Sequence, residues 1–448
     1  MTPLLYLLGV VLFVVAILAS IGLHELGHMV PAKAFGGKVT QYFIGFGPTI
    51  WSRQRGETEY GAKAIPLGGY VKIVGMLPPD HEHADQVEYD ADGNRVMIVR
   101  KSNTGMFGQL VSDARAAEWE TITAADEDRL FYRMAWWKKV VVMAGGPTVN
   151  LMIAFVIFAG LFATVGNPGD SVAETEVDVV SACIVPAAEE GRACTATDPV
   201  SPAAEAGLRS GDRFLSFNGT PVESWEQMQG LIRGNADGRA TIVVDRDGQT
   251  LTLHTNTLVE PRPTDPDDPQ KLTPVGFLGV APVVTYVHGG VLYTVEQMGG
   301  LAKQSAVALA TLPVKVWGVG QAIVGVKDRA VDSPVSIVGG GRIAGETASA
   351  DGFPLRDKMI GLLGLVAGFN FFIGLFNFIP LLPLDGGHIA GALWEAARRG
   401  IARLRGRPDP GYVDVARLLP VAYVVASFLL VMGVVLIVGD LVVPVSIT

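Results

Sequence analysis

The chain opens with a long apolar stretch that ends in a polar motif. Residues 3–28 read PLLYLLGVVLFVVAILASIGLHELGH. A transmembrane helix needs about 20 apolar residues to cross about 30 Å of hydrocarbon, and Pro3–Leu23 meets that length. No basic segment precedes this run, and it is longer than the apolar core of a cleaved signal peptide. We therefore expect a retained transmembrane helix with ionisable groups at its end.

The polar motif, His24-Glu25-Leu26-Gly27-His28, has the form HExxH. Positions four apart share one face of a helix, so both imidazoles can point at one metal ion while Glu25 takes a proton from water. Ionisable groups at membrane depth are costly and are seldom kept without a function. The alternative is that three polar residues fray from the end of a helix.

A catalytic zinc site needs a third protein ligand and an open position for water. The candidate is Asp385, at the end of a second apolar segment, in Asn377-Phe-Ile-Pro-Leu-Leu-Pro-Leu-Asp385-Gly-Gly387. The proline and glycine residues around it free the backbone from a helix, which membranes tolerate only beside protein or a water-filled cavity. Taken alone, Asp385 would be a helix-end residue facing water.

The composition is that of a membrane protein. Of 448 residues, 49% are hydrophobic and 18% are charged, and the mean hydropathy is +0.35. An average soluble protein has about 25% charged residues. The net charge of −9 argues against a nucleic-acid binder. Four transmembrane helices are predicted, at Pro3–Leu23, Val140–Val165, Met359–Leu384 and Leu418–Val438.

Basic residues indicate the orientation, because they stay preferentially on the cytoplasmic side. They are concentrated in the loops after the first and third predicted spans, whereas the middle loop is acidic from Asp170 to Asp268. We therefore expect both termini and the middle loop to lie outside the cytoplasm. We expect the active site near the cytoplasmic side of the membrane. Cys183 and Cys194 lie in the outer loop, where an oxidising compartment allows a disulfide. The sequence is equally compatible with two reduced thiols.

The middle loop contains a recognisable pattern. Ser201–Asp212 reads as a short helix and a glycine turn, Arg213–Gly219 as a strand and a turn, and residues 240–254 as a hairpin. This pattern resembles a bacterial PDZ domain, which binds an extended peptide as an added strand. Glu260–Pro269 predicts an exposed linker. Val291–Val326 predicts an amphipathic helical region on the outer membrane surface, or else a soluble hairpin packed on the PDZ-like domain.

HExxH in the first span and NxxPxxxLDGG in the third, with a PDZ-like domain between them, resemble the site-2 protease family of intramembrane zinc metalloproteases, in its bacterial, sigma-factor-regulating branch. The resemblance implies that His24, His28 and Asp385 bind Zn²⁺ and that Glu25 is the catalytic acid/base. Other matching segments are Phe46-Gly-Pro48, Ile65–Lys72, Phe131-Tyr132, Gly145–Asn150 and Ser333–Ile337.

The resemblance also implies how the substrate is held. Asn377 matches an asparagine that binds the substrate backbone or stabilises the developing oxyanion, and Gly36–Trp51 matches a membrane-embedded β-hairpin. Asn150 is a further candidate partner for the backbone groups of an unwound substrate helix. The chain departs from the family pattern at Phe372, where relatives often have a second asparagine, and Asn370 lies two residues away.

Together these observations predict a multi-pass α-helical membrane protein with four transmembrane helices, a membrane-embedded β-hairpin and one inserted extracytoplasmic PDZ-like α+β domain. The predicted segments are the first transmembrane helix with HExxH and the hairpin (1–78), a cytoplasmic polar loop (79–138), the second transmembrane helix (139–166), the PDZ-like domain (167–260), a linker and membrane-surface helical region (261–356), the third transmembrane helix with the LDG motif (357–390), a basic cytoplasmic loop (391–417), and the fourth transmembrane helix with the C-terminal tail (418–448).

The expected function is intramembrane zinc-dependent proteolysis in a bacterial cell membrane. The expected partners are the lipid bilayer and a single-pass membrane protein substrate, such as an anti-sigma factor or a remnant signal peptide, cut within or near its transmembrane segment. The main alternative is a non-catalytic adaptor that binds exported peptide tails through the PDZ-like domain. Glu25 argues against it, because a structural zinc site needs no general base. A transporter is disfavoured because the four predicted spans show no evident repeat.

Overall fold

The structure is a computed structural model that describes residues 3–79, 87–89, 95–97, 105–119, 122–186, 192–236, 238–264, 272–350 and 353–445. The chain divides into two compact units. The first, which we call the helical unit, consists of Met1–Leu161 and Gly290–Thr448. The second, the β unit, consists of Phe162–Gly289 and is inserted between the two parts of the first.

The first part of the chain begins with a helix much longer than the apolar run that predicted it. This helix continues through the HExxH motif to Ala34, past Pro31, and ends just before Gly36, which has a positive φ. The elements up to the β unit are α1 (Pro3–Ala34), β1 (Val39–Arg55), β2 (Thr58–Ile73), β3 (Val87–Tyr89), β4 (Arg95–Met97), α2 (Gly105–Trp119) and α3 (Trp136–Thr164).

The hairpin β1–β2 is larger than the sequence predicted. The two antiparallel strands pair from Val39 with Ile73 to Arg55 with Thr58, so the turn lies at Gly56. The predicted range Gly36–Trp51 therefore ends within the first strand and includes none of the second. Repeated register shifts along the pair explain why a simple two-residue alternation did not show its extent.

The β unit is built around one antiparallel sheet and two short helices. Its six-stranded sheet has the order β12-β5-β6-β8-β9, with β7 paired to β6, and β10 and β11 form a separate antiparallel pair. The elements are β5 (Asn167–Val180), α4 (Pro202–Glu205), β6 (Arg213–Phe217), β7 (Thr220–Pro221), α5 (Trp225–Gly234), β8 (Arg239–Arg246), β9 (Gln249–Asn256), β10 (Leu258–Pro263), β11 (Leu272–Phe277) and β12 (Val280–Val287).

The β unit has its own core and polar anchors. Phe214, Phe217 and Met228 are among its fully buried apolar side chains. Burial alone would raise the pKa of Asp212, but the Arg246 guanidinium, with Nε–H and NH2 donating to its carboxylate at 2.6 and 2.8 Å, lowers it. Cys183 and Cys194 are joined in a disulfide, which is one of the two states left open above.

The β unit also extends beyond the predicted boundary at residue 260. The segment expected to be a linker contributes β10, and β12 pairs with β5 inside the main sheet. Alternating prolines in Glu260–Pro269 suggested exposed chain, but proline is accepted in edge or two-stranded pairs, as Pro261 opposite Pro274 shows. Residues 265–271 lie outside the described part of the chain.

The last part of the chain completes the helical unit with α6 (Val291–Ile323), α7 (Ile337–Ser349), α8 (Leu355–Asn377), α9 (Asp385–Leu404) and α10 (Leu419–Val442). The predicted third span joined Met359 to Leu384 and continued the segment to residue 390. The structure instead ends α8 at Asn377, turns through Pro380 and Pro383, and begins α9 at Asp385. The predicted basic loop 391–417 is therefore helical as far as Leu404.

Five helices are long and apolar enough to cross a membrane, judged by length and composition in the described residues. Four of them overlap the predicted spans: α1, α3, α8 and the segment Val415–Val442 that contains α10. The fifth is α6, which the sequence predicted to lie on the membrane surface. It has the lowest hydropathy of the five. The chain is thus a membrane-embedded protein that also has a β-sheet domain.

Candidate active site

The last turns of α1 present three side chains of the HExxH motif. His24 and His28 lie one turn apart, and their Nε2 atoms are 3.2 Å from each other. The Nδ1–H of the buried His28 donates to the carbonyl oxygen of Val142 on α3, at 2.9 Å. With its proton held on Nδ1, His28 presents an Nε2 lone pair, which is the arrangement usual in histidines that bind metals.

Asp385 reaches the two histidines from the first turn of α9. Its Oδ2 atom is 3.4 Å from Nε2 of His24 and 3.4 Å from Nε2 of His28. The chain between α8 and α9 brings it there through a tight turn whose backbone packs on Gly386 and Gly387. A Cβ at Gly387 would lie 2.6 Å from the Leu382 nitrogen. The two glycines of the LDGG sequence are therefore required by close backbone packing.

The three ligand atoms have the spacing of a tetrahedral zinc site. Zinc binds imidazole nitrogen and carboxylate oxygen at about 2.0–2.1 Å, so the edges of a regular tetrahedron around it are about 3.3–3.4 Å. The observed edges are 3.2, 3.4 and 3.4 Å. Within the described residues this is the group of histidine, cysteine and carboxylate side chains that could hold an ion.

Two further observations fit a cation between these atoms. Oδ2 of Asp385 is buried and has no hydrogen-bond partner in the described part of the chain, which is costly for a carboxylate unless a cation satisfies it. Gly146 of α3 lies directly against both histidines, because the nearest atoms to a Cβ built there include Nε2 of His28 and Nε2 of His24. The absence of a side chain at Gly146 therefore leaves space beside the ligand atoms.

Glu25 lies on the same helix and faces β2. Its Cγ would be 3.0 Å from a Cβ at Gly69, so the glycine allows the glutamate to lie close to the strand. The backbone amide of Val71 faces its carboxylate. Glu25 is thus held beside the three candidate ligands without being one of them.

A cavity of about 510 Å³ contains this group. Asn150, which is 2% exposed, lines the cavity, and its Oδ1 atom has no hydrogen-bond partner among the described residues. Asn377, the last residue of α8, lines the cavity too. All the site residues predicted from the sequence therefore surround one cavity: His24, Glu25, His28, Asn150, Asn377 and Asp385.

Asn370 does not line this cavity. Its side chain is fully buried and donates from Nδ2 to Oγ of Ser20 at 3.0 Å and to the Val366 carbonyl oxygen at 2.9 Å. It therefore joins α8 to α1. Phe372, at the position where relatives often have asparagine, is 39% exposed and stacks on Phe376.

The structure adds features that sequence reasoning missed. Several backbone groups contact the site: the Val142 carbonyl group, Gly146, and the β2 backbone at Gly69 and Val71. Sequence reasoning missed them because backbone groups and glycines carry no distinctive side chain. The segment Gly145–Asn150 was noted only as a matching motif. The sequence offered one signal for this contact, since the segment Gly61–Gly69 contains three glycines. Glycines within a strand often mark a place where another part of the protein lies close to the backbone.

The sequence comparisons agree with this geometry. The model of peptidase family M50 matches residues 12–418. Two similar curated proteins are both called zinc metalloprotease Rip1. The one from Mycobacterium tuberculosis is 34% identical over 98% of this chain and 99% of its own length. The one from Mycolicibacterium smegmatis is 33% identical over 98% of each chain. The chain belongs to peptidase family M50, the site-2 protease family, and is a zinc metallopeptidase.

Proposed function

We propose that the protein hydrolyses a peptide bond within or near the transmembrane segment of a single-pass membrane protein. The observation that carries the proposal is the convergence of His24, His28, Asp385 and Glu25 on one cavity, at the end of a candidate membrane helix. The family supports intramembrane proteolysis as the general activity.

In this proposal His24, His28 and Asp385 bind the zinc ion. A zinc ion supplies a Lewis acid that polarises the scissile carbonyl group and makes water more acidic. Val142 fixes the His28 ring through its Nδ1–H. Glu25 takes a proton from the attacking water and donates it to the nitrogen of the leaving amine, so that hydrolysis needs no acyl-enzyme.

The substrate must first unwind, because an amide within a helix is shielded by its own hydrogen bonds and unpaired backbone groups are costly in a membrane. Asn150 and Asn377 are positioned to bind the freed groups. The unpartnered Oδ1 of Asn150 supports this role, since a buried acceptor without a donor has an unmet hydrogen bond. The β2 backbone beside Glu25 offers a further partner.

We place the protein in a bacterial cell membrane, with both termini and the β unit outside the cytoplasm. The β unit acts there as a PDZ-like domain that selects or docks the substrate, and an anti-sigma factor or a remnant signal peptide is the expected substrate class. The acidic character of residues 170–268 and the basic loops support this orientation.

The adaptor alternative makes a different prediction about Glu25. A structural zinc site closes its coordination with a fourth protein ligand, whereas three candidate ligands are found in the described residues. An adaptor would bind peptide tails equally well with or without the Glu25 carboxylate.

The experiment compares the purified full-length protein with its Glu25→Gln variant in liposomes that contain a labelled single-pass substrate. We expect wild type to cut within the membrane segment, and Glu25→Gln to keep its zinc but cut about 10²- to 10⁴-fold more slowly. Asp357→Asn, an exposed change at the start of α8 and outside the β unit, serves as the matched control and should cut as wild type does. Equal cutting by Glu25→Gln and wild type would refute the assigned mechanism.

A further inference from the structure

Helix α9 has an apolar stripe that faces away from the protein. Its buried residues include Ala392, Glu395 and Ala402. On the opposite side, the side chains of four large apolar residues are 46–89% exposed: Leu393, Trp394, Ile401 and Leu404. These positions recur at helical spacing, so they form one continuous face.

Arginines border this stripe. With 3.6 residues per turn, Arg398 and Arg403 fall on opposite sides of it. Arg403, Arg405 and Arg407 are exposed and form no ion pair within the described residues. Of the two acidic residues of the helix, Asp385 lies at its start in the candidate zinc site, and Glu395 is buried on the other face and pairs with Lys139.

The helix is suited to the surface of a membrane rather than to its interior. It is not one of the five candidate spans, and it combines an exposed apolar face with a strongly basic border. Helices of this kind lie in the headgroup layer, with the apolar face towards the acyl chains and the basic side chains reaching the phosphates. Unpaired arginines there attract anionic lipids.

We propose that α9 is an interfacial helix that recruits anionic phospholipids, with Leu393, Trp394, Ile401 and Leu404 in the acyl-chain region and Arg403, Arg405 and Arg407 on the headgroups. The charge complementarity selects an anionic bilayer surface as the occupant of this face. The inference does not depend on the protease activity, because it concerns binding of lipid to the helix.

The test places a fluorescent bimane label on an Ala397→Cys variant of the full-length protein. Ala397 is exposed on the apolar face, and both native cysteines are in a disulfide. The protein is reconstituted in phosphatidylcholine vesicles that contain either brominated phosphatidylglycerol or brominated phosphatidylcholine as quencher. We expect half-maximal quenching at no more than about one fifth of the concentration with brominated phosphatidylglycerol, because each basic residue near an anionic surface contributes about a fivefold preference and three arginines are proposed to contact the headgroups.

Three variants carrying the label separate charge from other effects. Glutamine at Arg403, Arg405 and Arg407 should remove the difference between the two quenchers, and lysine at the same positions should keep it. Glutamine at three exposed arginines of the β unit (Arg209, Arg213 and Arg239) should leave the difference unchanged.

Two outcomes would overturn the proposal. Equal quenching by both lipids in wild type would show that the helix has no preference for anionic headgroups. Absence of quenching by either lipid would show that protein, such as a second copy of the chain, covers the apolar face instead of lipid.

Discussion

At the scale of single residues, Gly146 shows how closely α3 supports the candidate zinc ligands. Its backbone lies against Nε2 of both His24 and His28, and Val142, one turn earlier on α3, accepts the hydrogen bond from His28. Substitution of a group that orients a metal ligand commonly lowers metal affinity 10- to 100-fold. The glycine is therefore part of the site although it has no side chain.

We predict that Gly146→Ala weakens zinc binding by at least about tenfold, because the added methyl group meets both ligand nitrogens. Alanine is about 1 kcal/mol more favourable than glycine within a helix, so the substitution should not destabilise α3 itself. The measurement is zinc affinity by competition with a chelator. Gly160→Ala is the control, since a Cβ there meets no atom within 4 Å. Equal affinities in both variants would contradict the packing argument.

The chemical role of a residue was predictable from the sequence where that role belongs to its side chain. The HExxH motif identified His24, Glu25 and His28, and the proline- and glycine-rich sequence around Asp385 identified the third candidate ligand; the cavity brings them together. The Val142 carbonyl group could not be predicted, because every residue has one. The contact of Asn370 with Ser20 could not be predicted either, since it depends on how α1 and α8 are rotated.

At the scale of elements, a buried ion pair joins the two helices that flank the site. Nζ of Lys139, at the start of α3, is 2.7 Å from Oε2 of Glu395 on α9, and both side chains are less than 10% exposed. Helix α3 bears Val142 and Gly146, and α9 begins at Asp385. The pair therefore fixes the position of one ligand-bearing helix against the helix that supports the histidines.

We predict that Lys139→Met destabilises the protein by about 3 kcal/mol, because it removes the closest partner of the buried Glu395 carboxylate and leaves it only the longer contacts, at 3.4 Å, with Arg399 and the Val413 amide. Lys315→Met is the matched control. It breaks the exposed pair with Asp332, whose Oδ2 is 2.8 Å away, and should cost less than about 1 kcal/mol. Unfolding of both variants is measured in the same detergent micelles. A similar loss in both would mean that the buried pair has no special role.

The positions of the apolar helices α1, α3, α8 and α10 followed from hydropathy, but the ends of elements did not, and neither did the helices α2 and α9, whose sequences were interpreted as polar or basic loops. The break between α8 and α9 was read as the end of a single span, because apolar residues continue through Pro380 and Pro383 to Leu384. The hairpin was underestimated because its register is irregular. Both errors arise where backbone geometry departs from regular periodicity, which is the only signal that a hydrophobic pattern carries.

At the scale of the whole molecule, the number of spans decides the position of the two ends of the chain. Helix α6 has the length of a span, but it contains Glu296, Lys303 and Lys315 and has the lowest hydropathy of the five candidates. Ionisable groups are costly within hydrocarbon. Hydropathy alone did not fix its placement, since an amphipathic surface helix and a weakly apolar span have similar compositions.

We predict four spans, with α6 on the outer membrane surface and both ends of the chain outside the cytoplasm. Epitope tags at the two ends should both be cut by a protease added to cells with a permeable outer layer and an intact inner membrane. A tag within the basic segment 405–411 should stay protected as the internal control. Protection of only one of the two terminal tags would mean that an odd number of helices crosses the membrane.

The most direct test of the central claim is X-ray absorption at the zinc edge of the purified, zinc-loaded full-length protein, in wild type and Asp385→Asn. We predict one zinc ion per chain in wild type, bound by nitrogen and oxygen atoms that include two imidazoles at about 2.0–2.1 Å. Asp385→Asn should lose zinc or lose one of these oxygen ligands. A set of zinc ligands that contains sulfur, or one identical in both proteins, would contradict the assignment of His24, His28 and Asp385.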